Sequence, residues 1–178
     1  MVSGIEFVVR RLADEVNQYP FLRECFGPDV ILVPVPRSAP LRQKDALWPT
    51  LKICTAMYKA GLGGEVAPIL IRRTAVQKSA TAGHSERPNP QTHFASTAAD
   101  GALPLLAKGK ITIVDDFITR GSTFIGMYPH ITGRYSGQRV FCFALIRTIS
   151  SGEVESWKSP VQGRIIFNPS TDYLHREP

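Results

Sequence analysis

Cysteine is scarce in this chain. There are three in 178 residues, Cys25, Cys54 and Cys142, and they lie far apart. An odd, scattered set has neither the pairing of a disulfide framework nor the close spacing of a zinc site, and it fits a reducing, cytoplasmic setting. Long apolar runs are missing too. None approaches the ~20 residues that a membrane helix needs, so no membrane partner is expected. The opening Met-Val-Ser-Gly-Ile-Glu has no basic stretch followed by an apolar one, so no secretory signal is expected. There is no internal repeat, no low-complexity tract and no shift of composition, and one domain over 1–178 is expected. Hydrophobic residues at 43% and charged residues at 20% are ordinary globular proportions, which excludes a disordered, collagenous or coiled-coil chain. Negative charge is the minority sign. Fifteen Asp+Glu face twenty-one Lys+Arg, a net +6, and fourteen of the cations are arginine. Arginine suits bidentate binding of phosphate or carboxylate, and a basic excess also suits nucleic acid.

What is present alternates between strand and helix. Ser3 and Glu6 have the form of a capping box, and Ile5, Val8, Val9, Leu12 and Val16 follow at helical spacing. Val30-Ile31-Leu32-Val33 reads as a strand buried on both faces, ended by Pro34 and Pro36. A second helix is expected from a cap at Asp45, with Leu47, Leu51, Cys54 and Tyr58 on one face and glycines 61, 63 and 64 stopping it. Val66 to Ile71 reads as a strand. From Thr74 to about Gln91 the chain is polar, and so long a loop in a compact domain is usually functional or mobile. Ile111 to Val114 is a third strand. A helix is expected from Ser122, with Pro129 inside it, and further strands over Val140–Ile146 and Arg164–Phe167. This order predicts an α/β domain with a mostly parallel sheet flanked by helices.

The informative segment is ITIVDDFITRGST, residues 111–123. An apolar strand runs into Asp115 and Asp116 at the edge where open α/β sheets bind ligands. Thr119, Arg120, Gly121, Ser122 and Thr123 then form a turn into a helix. Such a turn offers unpaired amides, hydroxyls and the positive end of a helix dipole, a cradle for phosphate. Gly121 lets the backbone approach the anion closely. Two carboxylates beside a phosphate cradle suit one ligand carrying a diol and a phosphate, as a ribose 5-phosphate does. The plainer alternative is a strand–turn–helix with exposed acids and a serine cap.

ITIVDDFITRGST resembles the phosphoribosyl-pyrophosphate (PRPP) motif of type I phosphoribosyltransferases: four apolar residues, two acidic, then a Thr/Gly/Ser-rich end. Arg120 departs from it, standing where a small residue or Thr is common. LVPVPRS, residues 32–38, resembles that family's pyrophosphate loop, and is closest to the competence-associated, ComF-like branch. IRRTAVQKSATAGHSERPNPQTHF, residues 71–94, is similar to the same branch at Arg73, Gln77, Arg87, Asn89 and Phe94. The resemblance covers about residues 28–147; the zinc-ribbon N-terminus of many ComF-like proteins is absent.

The resemblance implies the type I phosphoribosyltransferase fold, with a flexible loop and a small hood for which residues 1–27 and 148–178 are the candidates. It implies a magnesium-dependent transfer of phosphoribosyl from PRPP to a base or amine, with pyrophosphate released. Asp115 and Asp116 would contact the ribose hydroxyls, directly or through Mg²⁺ and its waters. Arg37 and Ser38 would hold the pyrophosphate. Arg72, Arg73 and Lys78 begin the loop that closes over PRPP, and Lys78 or Arg87 would bring a cation to the leaving group. His84 and His93 read as polar surface. Trp157, Phe167 and Tyr173 are candidates to stack on an acceptor, while Asp172 is isolated. Family members are often dimers, so a homodimer is expected. The alternative on the same fold is a non-catalytic PRPP or nucleotide sensor, or a protein of DNA uptake or defence. The charge makes no separate case for a nucleic-acid partner, because removing Arg37, Arg72, Arg73, Lys78, Arg87 and Arg120 from the count brings the net charge of +6 to zero.

Overall fold

The run Val30–Val33 is buried on every side because it forms the centre of strand β1 (Gly27–Pro34), with other strands on both edges. The computed structural model describes residues 4–41, 46–77, 87–101, 109–149, 154 and 158–177. Among them, β1 lies between β2 (Gly63–Val66) and β5 (Lys110–Ile118), and β5 is followed by β6 (Arg139–Arg147). The sheet order is β2-β1-β5-β6 and every pairing is parallel, as a Rossmann-like α/β sheet requires. Alternate residues feed opposite faces. Val30 and Leu32 meet helices α1 (Gly4–Val16), α2 (Pro20–Cys25) and α3 (Pro49–Lys59) through Val9, Leu12, Leu22, Ile53 and Met57. Ile31 and Val33, with Ile111 and Ile113, meet α5 (Ser122–Arg134) through Phe124, Met127 and Ile131.

Several expectations change in detail. The expected strand over Val66–Ile71 is two elements. Pro68 has no N–H to give a ladder, the chain turns with Ile69 N donating to Ala67 O, and β3 (Leu70–Arg72) pairs antiparallel with β4 (Thr97–Ala99) in a separate sheet. Helix α3 starts at Pro49, whose fixed φ suits a first helical position. Its buried residues are Thr50, Ile53, Cys54 and Met57, while Leu47 and Tyr58 are exposed. Asp45 and Ser3 lie outside the described residues. Helix α5 runs on through Pro129, which is on the solvent side. The segment expected as a further sheet strand is β7 (Arg164–Asn168). It forms a hairpin with β8 (Tyr173–Glu177) instead, and its alternating exposure shows why: only one face is covered, as suits a hairpin laid on the domain.

The short helix α4 (Pro90–Ala95) emerges from the polar loop. Asn89 caps it, accepting from Thr92 N at 2.9 Å. It packs on α5 where Gly126 has no side chain: a Cβ there would stand 2.6 Å from Pro90 O and 3.0 Å from Phe94 N. Backbone cannot move aside as a flexible side chain can. Gly126→Ala should therefore cost about 1–3 kcal/mol, a typical overpacking penalty. Calorimetric melting should show the loss, and an unchanged Tm would contradict this packing.

Candidate functional site at the carboxyl edge of the sheet

The chain leaves β1 for β2 on one side and later returns as β5 on the other. That reversal is a topological switch point, and in parallel sheets it opens a crevice between the carboxyl ends of the two strands. β1 ends at Pro34, paired with Val114. The acidic pair was expected just beyond the end of its strand. Instead β5 continues through Asp115 and Asp116 to Ile118, paired on that stretch, among the described residues, with β6 alone. The two acids thus remain strand residues and line the step left where β1 stops.

Their environments differ. Asp115 is only 8% exposed, whereas Asp116 is open to solvent. Asp115 Oδ1 accepts from Asp116 N at 2.9 Å. Burial, and next the charge of Asp116, raise Asp115 above the usual carboxylate range, with Arg72 opposing. Beyond the strand, Thr119 and Arg120 lead to Gly121, which caps α5 in the left-handed conformation at φ 93°. Ser122 and Thr123 are half-buried and open the helix, where amides have no partner within the helix.

Across the crevice, the loop after β1 is fixed at its base. Val35 N donates to Val114 O at 2.9 Å, and Val35 O accepts from Trp48 Nε1 at 2.8 Å and Thr50 Oγ1 at 2.6 Å. Arg37 and Ser38 follow, half-buried, and beside them lies a cavity of about 220 Å³ lined by Pro36, Arg37, Pro40, Trp48, Ile71 and Arg72. Ser38 O accepts from Val76 N at 2.7 Å.

Arg72, expected to bind phosphate, is 6% exposed and turned inward. Its Nε donates to Arg37 O at 3.0 Å, and its Nη1 to Ser96 Oγ at 2.6 Å and Thr97 Oγ1 at 2.8 Å. Burial lowers it to about 10, with Asp115 opposing. It therefore braces the loop carrying Arg37 against β4. Arg73 is exposed, and Arg87 is half-buried with an Nε that has no hydrogen-bond partner among the described residues. Lys78, His84 and Trp157 lie outside the described residues.

His93 corrects its reading as surface: it is 4% exposed, because α4 turns it toward Arg72 and the contact at Gly126. The clue missed in the sequence was the nearby hydroxyl pair Ser96-Thr97, which serves the same buried guanidinium. Of the two expected hood segments, the first is spent on the core, through Val9, Leu12, Val16 and Leu22. The second reaches the crevice. Ile165 of β7 sits on Gly121, where a Cβ would be 2.6 Å from its Cδ1, and Arg176 Nε donates to Thr119 O at 3.1 Å. Asp172, at φ 52° in the hairpin turn, accepts from Asn89 Nδ2 at 3.4 Å. Phe167 is half-buried and Tyr173 exposed on the same hairpin.

No group of three or more His, Cys, Asp or Glu suited to a metal occurs among the described residues. The Asp115–Asp116 pair offers hard oxygen donors, which suit magnesium brought in by a substrate's own oxygens rather than one caged by protein.

Burial, and then the charge of Arg72, lower His93 to about 4. Its ordinary value is near 6.5. Between these two values the unfolded chain binds the proton that the folded chain refuses, so this contribution is present above 6.5 and is lost as pH falls toward 4. The wild type should lose more stability over that window than His93→Gln, measured by urea unfolding at several pH values. Parallel losses would contradict a buried neutral imidazole.

No protein-family model matches the chain, and no curated protein matches it in sequence.

Proposed function

We propose that this chain is a type I phosphoribosyltransferase that binds PRPP with magnesium and transfers its phosphoribosyl group to a base or amine. The observation that supports this most is the grouping at the switch point. An exposed carboxylate, Asp116, stands five residues before Gly121 and the start of α5, and the loop of Arg37 and Ser38 faces them across the crevice. One ligand with a diol, a 5′-phosphate and a pyrophosphate uses all three features.

In this reading the amides of Gly121 to Thr123, with the hydroxyls of Thr119, Ser122 and Thr123, take the 5′-phosphate, and Arg120 adds charge at the rim. Asp116 accepts from the ribose hydroxyls. Asp115 stands behind it, and the approach of a cationic centre favours its ionised form. Arg37 and Ser38 hold the pyrophosphate on a loop that Arg72 keeps in place. Breaking the C1–O bond leaves positive charge on the sugar ring and negative charge on the departing pyrophosphate. Positioning and charge compensation then do most of the work. Arg73, Arg87 and Lys78 are the cations of the polar loop available to the leaving group. Magnesium, bound with the substrate, would neutralise pyrophosphate charge, and Asp115 and Asp116 would meet it through substrate oxygens and water.

Titration calorimetry with PRPP and Mg²⁺ tests this. Asp116→Asn should weaken binding at least tenfold, about 1.4 kcal/mol, and the double change with Asp115→Asn should weaken it further. Pyrophosphate release should follow with some member of a panel of bases and amines. Wild-type affinity in the double variant would overturn the site, and binding without release across the panel would leave a sensor.

A further inference from the structure

Arg72 and Arg176 stand on opposite flanks of the crevice, and both guanidinium groups are already engaged with protein. Arg72 is 6% exposed, and its donors go to Arg37 O, Ser96 Oγ and Thr97 Oγ1. Arg176, on β8, is half-buried; its Nε donates to Thr119 O at 3.1 Å and its Nη2 to Thr148 O at 2.7 Å. Each arginine therefore grips one carbonyl of a turn at the carboxyl edge. For Arg72 it is Arg37 O, in the loop after β1; for Arg176 it is Thr119 O, in the turn after β5. Among the described residues every peptide is trans. In a planar trans peptide the C=O and the N–H of the next residue point in opposite directions. With Arg37 O turned inward to Arg72, the N–H of Ser38 is turned outward. With Thr119 O turned to the hairpin, the N–H of Arg120 is turned away from it. Neither amide has a hydrogen-bond partner among the described residues. Both turns are also held further on: Ser38 O accepts from Val76 N at 2.7 Å, and Ile165 lies against Gly121.

We infer that Arg72 and Arg176 are positioning residues, which act through these two peptides to present the amides of Ser38 and Arg120 as anion donors, Ser38 to a pyrophosphate and Arg120 to a sugar phosphate. The identity of the two anions rests on the phosphoribosyl reading. A carbonyl that accepts from a charged guanidinium is polarised, and the N–H of the same peptide becomes a stronger donor. Positive charge thus reaches the anion through the peptide, while the cation itself stays behind the backbone. This also gives the charge of Arg72 a use. Holding a loop in place needs no charge, and a buried cation with no carboxylate among its hydrogen-bond partners is costly. The two arginines serve opposite ends of one ligand, so the effects of losing them are separable.

Titration calorimetry of the whole chain with two probes reads this: inorganic pyrophosphate with Mg²⁺, and ribose 5-phosphate. The wild type should bind both. Arg72→Met should weaken pyrophosphate binding by about tenfold or more, the usual worth of a charge-assisted hydrogen bond, and leave ribose 5-phosphate binding unchanged. Arg176→Met should do the reverse. Arg176→Lys, which can still donate to Thr119 O, should recover part of the loss. Should Arg72→Met fail to fold by circular dichroism, nitrogen–proton NMR of the wild type decides: pyrophosphate should shift the Ser38 amide and ribose 5-phosphate the Arg120 amide. Equal loss of both probes in each variant, affinities that do not change, or amides that neither probe moves would overturn the proposal and leave the phosphoribosyl reading standing. A wild type that binds neither probe would overturn that reading and this inference with it.

Discussion

The parallel pairing of β1 with β5, and its end at Pro34 opposite Val114, is the constraint on which the crevice depends. β1 stops, and β5 continues for four residues on which β6 is its strand partner. That step gives Asp115 and Asp116 an open side. It also sets the loop of Arg37 and the turn at Gly121 on either flank, because both leave the sheet at the same edge. Val35 N to Val114 O is the last backbone bond before the two strands part. Asp115 and Asp116 are thus held by the sheet itself, and the loop of Arg37 and the turn at Gly121 spring from its edge.

Behind the crevice, one buried cation organises the surroundings. Arg72 spends its donors on Arg37 O, Ser96 and Thr97, with His93 alongside. Taking a guanidinium out of water is costly unless its donors are satisfied, and here backbone and hydroxyl oxygens satisfy them without a carboxylate. The result is a rigid link from the first loop of the crevice to β3, β4 and α4. The hairpin of β7 and β8 closes the other flank, through Ile165 on Gly121 and Arg176 on Thr119.

The central sheet was legible from sequence because parallel strands buried on both faces write themselves as unbroken apolar runs, as at Val30–Val33 and Ile111–Val114. The Asp-Asp pair and the turn at Gly121 were legible for the same reason that they are candidates: the chain changes abruptly from apolar to polar there. What was not legible depended on contacts distant in sequence. Pro68 marks a break in one apparent strand, but the partner of its second half, Thr97–Ala99, is distant in sequence and decides that it joins a separate sheet. The inward turn of Arg72 is set by Ser96 and Thr97, more than twenty residues on. The division of the acidic pair into one buried and one exposed carboxylate follows from strand alternation, once β5 is known to run on through it. The burial of His93 follows from a helix short enough to be hidden inside a polar loop.

The most direct measurement is a crystal structure of the chain with PRPP and magnesium. The expected result is density spanning the β1/β5 crevice, with the 5′-phosphate on the amides of Gly121 to Thr123 and the ribose hydroxyls at Asp116. A metabolite bound elsewhere while that crevice holds only water would contradict the account.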